Sequence, residues 1–212
     1  ANSLIKFSSR ISLNSEVIEI KRKKKRIEIK YKKEGTLRKI SSEYVISSIP
    51  LPTLIELLKD VPEDVIKAAN SLIFNSLICV NIGVRRKAIS EKHWVYFPEK
   101  KFLFNRISFP KNFSRFTTPK NRSSILVEVT HRKDEIDLEE VKGKVIDGLI
   151  NAEILKKDDE LEVCDVSSFK YAYVIHDLRR RRNLSVIHSF LEENNIFPVG
   201  RYGRWEYLNM DK

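Results

Sequence analysis

The spacing of apolar residues along the chain changes near Pro50. Before this residue, apolar and charged side chains alternate, which is the period of a β-strand with one face toward a core. The alternating apolar residues are Ile27, Ile29 and Tyr31. With Lys23 to Lys25 as a turn, this pattern predicts a β-hairpin over residues 16–33. A turn at Glu34-Gly35 and a short apolar strand over residues 44–49 complete the N-terminal part.

After Pro50 the pattern mixes helical and strand periods. The predicted helices cover residues 51–58, a segment that opens at Pro62, residues 138–149, and a segment that starts at Asn183. The predicted strands cover residues 77–84, 94–97, 103–109, 124–129 and 162–174. This order predicts an α+β fold with a largely antiparallel or mixed sheet covered by helices. We expect one sheet of five or more strands, with the 16–33 hairpin projecting from it.

Length and composition indicate a folded protein rather than a disordered one. The chain has 212 residues, of which 42% are hydrophobic, enough for one large domain, or one domain and a fragment. It contains no apolar run of about 20 residues and no apolar stretch typical of a signal peptide, so we expect a cytoplasmic location. Cys79 and Cys164 stand alone in apolar runs and are expected to be small buried hydrophobic residues.

The positive charge of the chain is concentrated in one segment. Its net charge is +11, and residues 21–33 hold nine basic residues and one acidic residue, a local charge of +8. We interpret this segment as a solvated hairpin tip that protects a sheet edge, with contact to nucleic acid or another anionic surface as the alternative. Residues 179–182 are four arginines in an expected loop, either a solvated turn or a contact for an anionic ligand.

The sequence contains no self-contained catalytic motif. Its six glycines form neither G-x-G-x-x-G nor a P-loop, and its four histidines have no metal-ligand spacing, so no metal site is expected. What remains is a set of stretches rich in aromatic residues and arginine, which together suggest a cleft for an anionic, ring-bearing ligand. These stretches cover residues 94–98, 104–114, 171–173 and 200–207.

Six segments carry a resemblance to a known family, in the same order along the chain. They are VISSIP at 45–50, HWVYFP at 93–98, FNRISFPKNFS at 104–114, SILVEV at 124–129, DGLI at 147–150 and GRYGRWEYLNMD at 200–211. The succession resembles the C-terminal two-thirds of FAD-dependent flavoproteins of the amine oxidase and protoporphyrinogen oxidase superfamily. Within it, the chain is most similar to the UDP-galactopyranose mutase branch.

The resemblance implies a division of the chain. Residues 1–50, with the basic hairpin, would be strands that return to an FAD-binding domain that the chain lacks. Residues 51–195 would be the substrate-binding domain, and residues 196–212 would re-enter the FAD-binding domain.

The resemblance also implies roles for individual residues. Arg106 matches an arginine that binds the nucleotide diphosphate, and Phe113 stands where the mutases have a tyrosine that contacts phosphate. Tyr171 and Tyr207 match tyrosines that reach the diphosphate, while Gly200 and Arg201 match a segment against the flavin. For Arg106 an alternative stays open, which is a cross-strand ion pair with a carboxylate such as Glu128.

The chain departs from the family pattern because the G-x-G-x-x-G unit that holds the FAD pyrophosphate is absent. We therefore expect FAD in the complete protein, but neither FAD binding nor activity by this chain alone. The chain would be the substrate-binding portion of an FAD-dependent oxidoreductase or mutase-like flavoprotein. It would hold a small anionic substrate, such as a nucleotide sugar, against a flavin supplied by an FAD-binding domain of the same or a separate chain. The alternatives are a non-catalytic binding module that kept the fold and a basic nucleic-acid-binding protein; nucleic acid and membrane partners are not expected.

Overall fold

The computed structural model of the chain describes residues 11–132 and 135–208. These residues form two compact units, the first comprising the described residues up to Ile73 and from Val174 onward, and the second residues 74–173. The units divide the chain at other points than the predicted boundaries at 50 and 195. The predicted roles of these segments in FAD binding and substrate binding stay predictions.

Strands and short helices alternate along the described residues. In chain order, the strands are β1 (Ser15–Lys23), β2 (Arg26–Lys33), β3 (Thr36–Ser42), β4 (Val45–Ser47), β5 (Phe74–Val84), β6 (Trp94–Tyr96), β7 (Arg106–Ser108), β8 (Ser123–His131), β9 (Leu161–Val174) and β10 (Ile196–Pro198). The helices are α1 (Leu51–Leu57), α2 (Glu63–Asn70), α3 (Pro110–Phe113), α4 (Leu138–Asn151), α5 (Arg180–Glu193) and α6 (Gly200–Gly203). Within the described residues, no helix combines the length and the apolar composition needed to cross a membrane.

The first unit contains the basic hairpin, with the predicted turn between β1 and β2. We expected the hairpin to project from the larger sheet, and this expectation is wrong. β3 pairs with β2 and completes a separate three-stranded antiparallel sheet. Gly35, at a φ of +79°, makes the turn that brings β3 back. The sequence pattern gave no sign of β3, since most of its residues are exposed on both faces.

The rest of the first unit combines a parallel strand pair with helices. β4 and β10 pair in parallel, and Leu51 and Leu54 of α1 are fully buried. The sequence predicted a loop for the four arginines at 179–182. Instead, three of them lie in α5, which begins at Arg180. Arginine is a good helix former, and the Arg180 guanidinium donates a hydrogen bond to the Trp205 carbonyl, which holds the first turn of α5 in place.

The second unit is a five-stranded sheet in the order β6-β7-β8-β5-β9, which confirms the predicted α+β class and the strand number. Helix α4 covers one face of this sheet, and its start is capped by Asp137, whose carboxylate accepts hydrogen bonds from the backbone of Glu139 and Glu140. The buried residues that α4 shares with the sheet include Val141, Val145, Leu149, Ile78, Val80, Ile107, Ile125 and Val127.

The strands of this sheet therefore have two different faces, because successive side chains in a strand point to opposite sides. Residues that alternate with the core positions form what we call the second face. They include Cys79, Asn81 and Gly83 of β5, Arg106 of β7, and Ser124, Leu126 and Glu128 of β8. Several residues of this face are polar or charged, whereas the core positions on the other face are apolar. The candidate site lies on this second face.

Candidate functional site

A glutamate lies in the middle of the second face. Glu128 interrupts the apolar stretch of β8, and its side chain is only 5% exposed. The strand register places it between Arg106 of β7 on one side and Cys79 of β5 on the other. A buried carboxylate is costly unless charged or hydrogen-bonding partners compensate it, so its neighbours decide whether the fold tolerates it.

Both carboxylate oxygens of Glu128 have donors. Arg106 donates from Nε to Oε1 at 2.9 Å and also from Nη2 to the same oxygen. Tyr173 donates its hydroxyl to Oε2 at 2.6 Å, and its oxygen lies 3.2 Å from Arg106 Nη2. The cross-strand ion pair that the sequence left as an alternative for Arg106 is therefore present, and a tyrosine extends it.

The other edge of the Arg106 guanidinium is less engaged. Nη1 has one long contact among the described residues, to the Tyr96 hydroxyl at 3.4 Å, and the guanidinium carbon lies 5.8 Å from the centre of the Tyr96 ring. Burial lowers the pKa of Arg106, but hydrogen bonds to Glu128 and Tyr96 and the charge of Glu128 raise it more, so the pKa lies above its ordinary value. Arg106 is therefore a permanent cation with one edge fixed and one edge available to a ligand.

Aromatic rings stand next to this arginine. Trp94 is two residues from Tyr96 on β6, and its ring stacks on Phe113 with centroids 5.9 Å apart and an interplanar angle of 12°. Trp94, Tyr96 and Phe113 are each at least half exposed. Helix α3, which carries Phe113, is held by the Asn112 side chain, which donates to the carbonyls of Ser90 and Lys92 at 2.8 and 2.6 Å. Phe113 thus presents a fixed apolar surface.

The thiol beside Glu128 is not suited to nucleophilic chemistry. Burial raises the pKa of Cys79, the charge of Glu128 adds to this, and Arg106 opposes it. A thiol with a raised pKa is protonated at neutral pH and is a poor nucleophile. Cys79 is half-buried on the second face rather than in the core, where the sequence pattern predicted it.

The first unit brings two other predicted residues together. Gly200, at a φ of +73°, starts helix α6, and the guanidinium of Arg201 lies 4.4 Å from the centre of the Tyr207 ring. Arg201 also donates to the Leu208 carbonyl at 3.3 Å. A Cβ on Gly203 would lie 2.8 Å from the Ser47 carbonyl oxygen, so only glycine allows α6 to pack this closely on the end of β4.

The predicted site residues divide between the two units. Arg106 and Phe113 lie in the second unit, and Tyr171 packs its ring on Phe74 at a centroid distance of 4.6 Å. Gly200, Arg201 and Tyr207 lie in the first unit. The binding roles of all six residues stay predictions.

Sequence reasoning assigned no role to Tyr96 and Tyr173, although both contact Arg106. The aromatic stretches contained them, and alternation places Tyr173 on the same side of β9 as Tyr171. Whether Tyr171 or Tyr173 reaches Arg106 depends on how the strands pair, and the local sequence pattern does not encode this.

The described residues do not provide a complete flavin site. They contain no glycine-rich loop that could cradle a pyrophosphate, and the guanidinium of Arg201 already lies over Tyr207 and donates to the backbone. Over residues 11–132 and 135–208, no group of three or more His, Cys, Asp or Glu residues is arranged to hold a metal ion. The chemistry that these residues support is hydrogen bonding to a ligand and stacking against it.

Comparison with solved structures finds the same fold in several enzymes. A reduced UDP-galactopyranose mutase matches with a TM-score of 0.80 and 22% identity, over 91% of this chain and 41% of the mutase. A fatty acid isomerase from P. acnes matches at 0.66 and 13%, over 93% and 44%, and a redesigned putrescine oxidase matches at 0.61 and 16%, over 84% and 41%. The chain spans about two-fifths of the length of these proteins.

The sequence itself matches a family description. The model of the flavin containing amine oxidoreductases matches residues 6–174, which is most of the chain and includes all of β5 to β9. This match confirms the superfamily resemblance drawn from the six segments. This chain belongs to the family of flavin containing amine oxidoreductases.

Proposed function

We propose that this chain is the substrate-binding portion of an FAD-dependent oxidoreductase or mutase of this family. The second face of the five-stranded sheet would hold a small anionic, ring-bearing substrate, such as a nucleotide sugar, against the flavin. The observation that carries the proposal is the state of Arg106, which buried Glu128 anchors along one edge while the other edge stays available beside exposed aromatic rings.

This arrangement suits the recognition of a phosphate oxygen. A guanidinium presents its N–H groups in a rigid fork, and an anchored fork loses little conformational freedom when it binds. The Nη1 atom of Arg106 lies 3.4 Å from the hydroxyl oxygen of Tyr96. Both groups can therefore donate hydrogen bonds to the same ligand oxygen. Trp94 and Phe113 supply flat apolar surface for a ring of the substrate.

The charge of the site limits what Arg106 can do alone. Glu128 balances the positive charge of Arg106, so this pair contributes hydrogen bonds rather than net attraction for a doubly charged diphosphate. Arg201 and Tyr207, which resemble cofactor and substrate contacts of the mutases, are proposed to supply further contacts in the complete protein.

The first unit has a surface that suits an FAD-binding portion. β4 and β10 form a two-stranded parallel sheet, and parallel strands are normally covered on both faces. Ile46 is 73% exposed on this pair, and Tyr44, Phe197 and Val199 are exposed beside it. We propose that the FAD-binding portion, in the same or a separate chain, packs against this sheet and brings the flavin with it.

The proposal is tested by calorimetric titration of UDP into three proteins. The wild type should bind UDP, and Arg106→Ala should bind about 10- to 100-fold more weakly, since a hydrogen bond to a charged group is worth about 1.5–3 kcal/mol. Arg85→Ala is the matched control, because Arg85 also forms an ion pair in the second unit, with Glu160 at 3.0 Å, and its affinity should equal that of the wild type.

Two results would contradict the proposal. Equal affinity of the wild type and Arg106→Ala would remove Arg106 from the site. A wild type that binds no UDP would show that this portion does not recognise a nucleotide diphosphate.

A nucleic-acid-binding function has no specific structural support. Three lysines of the basic hairpin are paired with carboxylates, Lys21 with Asp60 at 3.2 Å, Lys23 with Glu28 at 3.0 Å and Lys30 with Glu19 at 2.6 Å. These pairs reduce the positive potential of the hairpin, and we therefore propose no nucleic-acid partner. A non-catalytic binding module would also bind UDP, and only reconstitution with an FAD-binding portion distinguishes it from an enzyme.

A further inference from the structure

A cavity lies on the second face at the end away from Arg106. Its volume is about 350 Å³, and its walls come from β5, the start of β8, β9 and the segment that leads into β8. Its lining includes Gly83, Pro119, Ser124 and Val163. Ser124 and Glu128 are four residues apart on β8, or about 13 Å at the rise of a strand, so the cavity is separate from the Arg106 cluster.

Small residues form part of the wall of this cavity. Gly83 and Ser124 are direct neighbours in the register of β5 and β8, and neither fills the surface of the sheet. A Cβ on Gly83 would lie 3.2 Å from Cβ of Val163. Glycine within a strand costs stability and often marks a place where another molecule approaches the backbone. The opposite wall is a closed turn, in which the backbone of Arg122 donates to the Pro119 carbonyl at 3.2 Å.

The cavity wall also contains an unsatisfied polar atom. The hydroxyl oxygen of Ser124 is buried and has no hydrogen-bond partner among the described residues. Folded proteins satisfy nearly all buried polar groups, so such atoms call for an explanation. A serine hydroxyl donates or accepts, and it turns to a new partner at low cost. A ligand oxygen in the cavity would satisfy the Ser124 hydroxyl.

The charges around the cavity cancel. Arg122 donates from Nε to Glu162 at 2.6 Å, and Arg85 pairs with Glu160 at 3.0 Å and with Glu162 at 3.6 Å. Two arginines and two glutamates leave no net charge, so an ionic ligand gains nothing from this rim and would lose its hydration.

We propose that this cavity binds a small neutral molecule with an apolar ring or chain and a single hydroxyl or carbonyl oxygen. Its volume has room for roughly ten non-hydrogen atoms at the packing of a liquid and falls in the range of ligand pockets, about 300–1,000 Å³. The oxygen would bond Ser124, and the apolar part would pack between Val163 and Pro119. The site goes beyond the proposed function, because it includes none of the residues assigned to substrate.

The experiment compares three probes of similar size by methyl NMR of the 212-residue protein. Benzyl alcohol should give saturable shifts at the methyl signals of Val163 and Thr118, which both line the cavity. Toluene should bind more weakly because it lacks the oxygen, and benzoate should bind most weakly. Ser124→Ala should lower the affinity for benzyl alcohol about 2- to 10-fold, the usual worth of one neutral hydrogen bond, and leave toluene unchanged. Ser167→Ala, on an exposed part of β9 outside the lining, is the matched control and should bind like the wild type.

A variant whose larger side chain fills the cavity should no longer bind the probe. Val163→Phe should fold, since Val163 is 55% exposed, and it should abolish the saturable shifts at the Thr118 methyl group. Ser124→Leu should do the same if it folds. Unsaturable shifts in the wild type, unchanged benzyl alcohol affinity in Val163→Phe, or tighter binding of benzoate would each overturn the proposal.

Discussion

Glu128 and Arg106 occupy positions where the alternation of the sheet would otherwise place neutral side chains. The side chain of Glu128 is nearly inaccessible, whereas that of Arg106 is 30% exposed. A pair of this kind adds little net stability, because the cost of removing two charges from water offsets their attraction. Its consequence is geometric, since the carboxylate fixes the plane of the guanidinium at the edge of an open face. Arg106 thus forms the cross-strand ion pair and also supports the proposed binding of a ligand.

Removal of the carboxylate should destabilise the second unit. In Glu128→Ala, Arg106 keeps its charge without a carboxylate to balance it, and the bond from Tyr173 to Glu128 is lost. We therefore expect the free energy of unfolding to fall by about 3 kcal/mol. Glu160→Ala breaks the exposed pair with Arg85 and should cost less than about 1 kcal/mol. Urea unfolding of the two variants and the wild type measures the difference. Similar losses for both variants would show that the partners of Glu128 do not depend on it.

At the scale of elements, the strongest periodic patterns were predicted well. The stretch with Leu138, Val141, Val145 and Leu149 is helix α4, and the predicted strand at 77–84 lies within β5. Errors occur where the pattern is weak or ambiguous, as in exposed β3 and in the arginines of α5. An exposed element has no buried face to impose a period on the sequence, and long charged residues fit a loop or a helix equally well.

Two glycines of α4 should respond in opposite ways to alanine. A Cβ on Gly143 meets no atom within 4 Å, whereas a Cβ on Gly148 would lie 2.9 Å from the buried ring of Phe104. Gly143→Ala should therefore stabilise the protein by about 0.5–1 kcal/mol, the usual difference between the two residues inside a helix. Gly148→Ala should destabilise it, because helix and ring must separate. Thermal unfolding of both variants tests this, and stabilisation by Gly148→Ala would mean that α4 does not pack closely on Phe104.

At the scale of the molecule, the chain corresponds to only part of each solved protein that it resembles. It matches about two-fifths of the length of the mutase and of the putrescine oxidase, and the matched part has the same fold in both. Such a fold does not specify a reaction. We propose that the second unit contacts the substrate and that a separate portion with a glycine-rich loop binds the FAD pyrophosphate.

This division predicts that the chain alone does not retain flavin. After incubation with excess FAD and gel filtration, the 212-residue protein should show no visible flavin absorbance, because no residue set in its sequence forms the phosphate loop. A known flavoprotein carried through the same column serves as the control. Yellow protein with one flavin per chain would contradict the prediction and reveal a binding mode without that loop.

The sequence by itself determined the fold class, most of the strands and helices, the basic hairpin and the family, because these depend on local periodicity and on the order of short segments. Only the tertiary structure decided which tyrosines reach Arg106, that Glu128 holds it, and that β3 closes a separate sheet. It also decided that Gly83 and Ser124 line a cavity on the second face. These features arise from strand register and from contacts between residues far apart in sequence, where a shift of one position would turn every side chain to the other face.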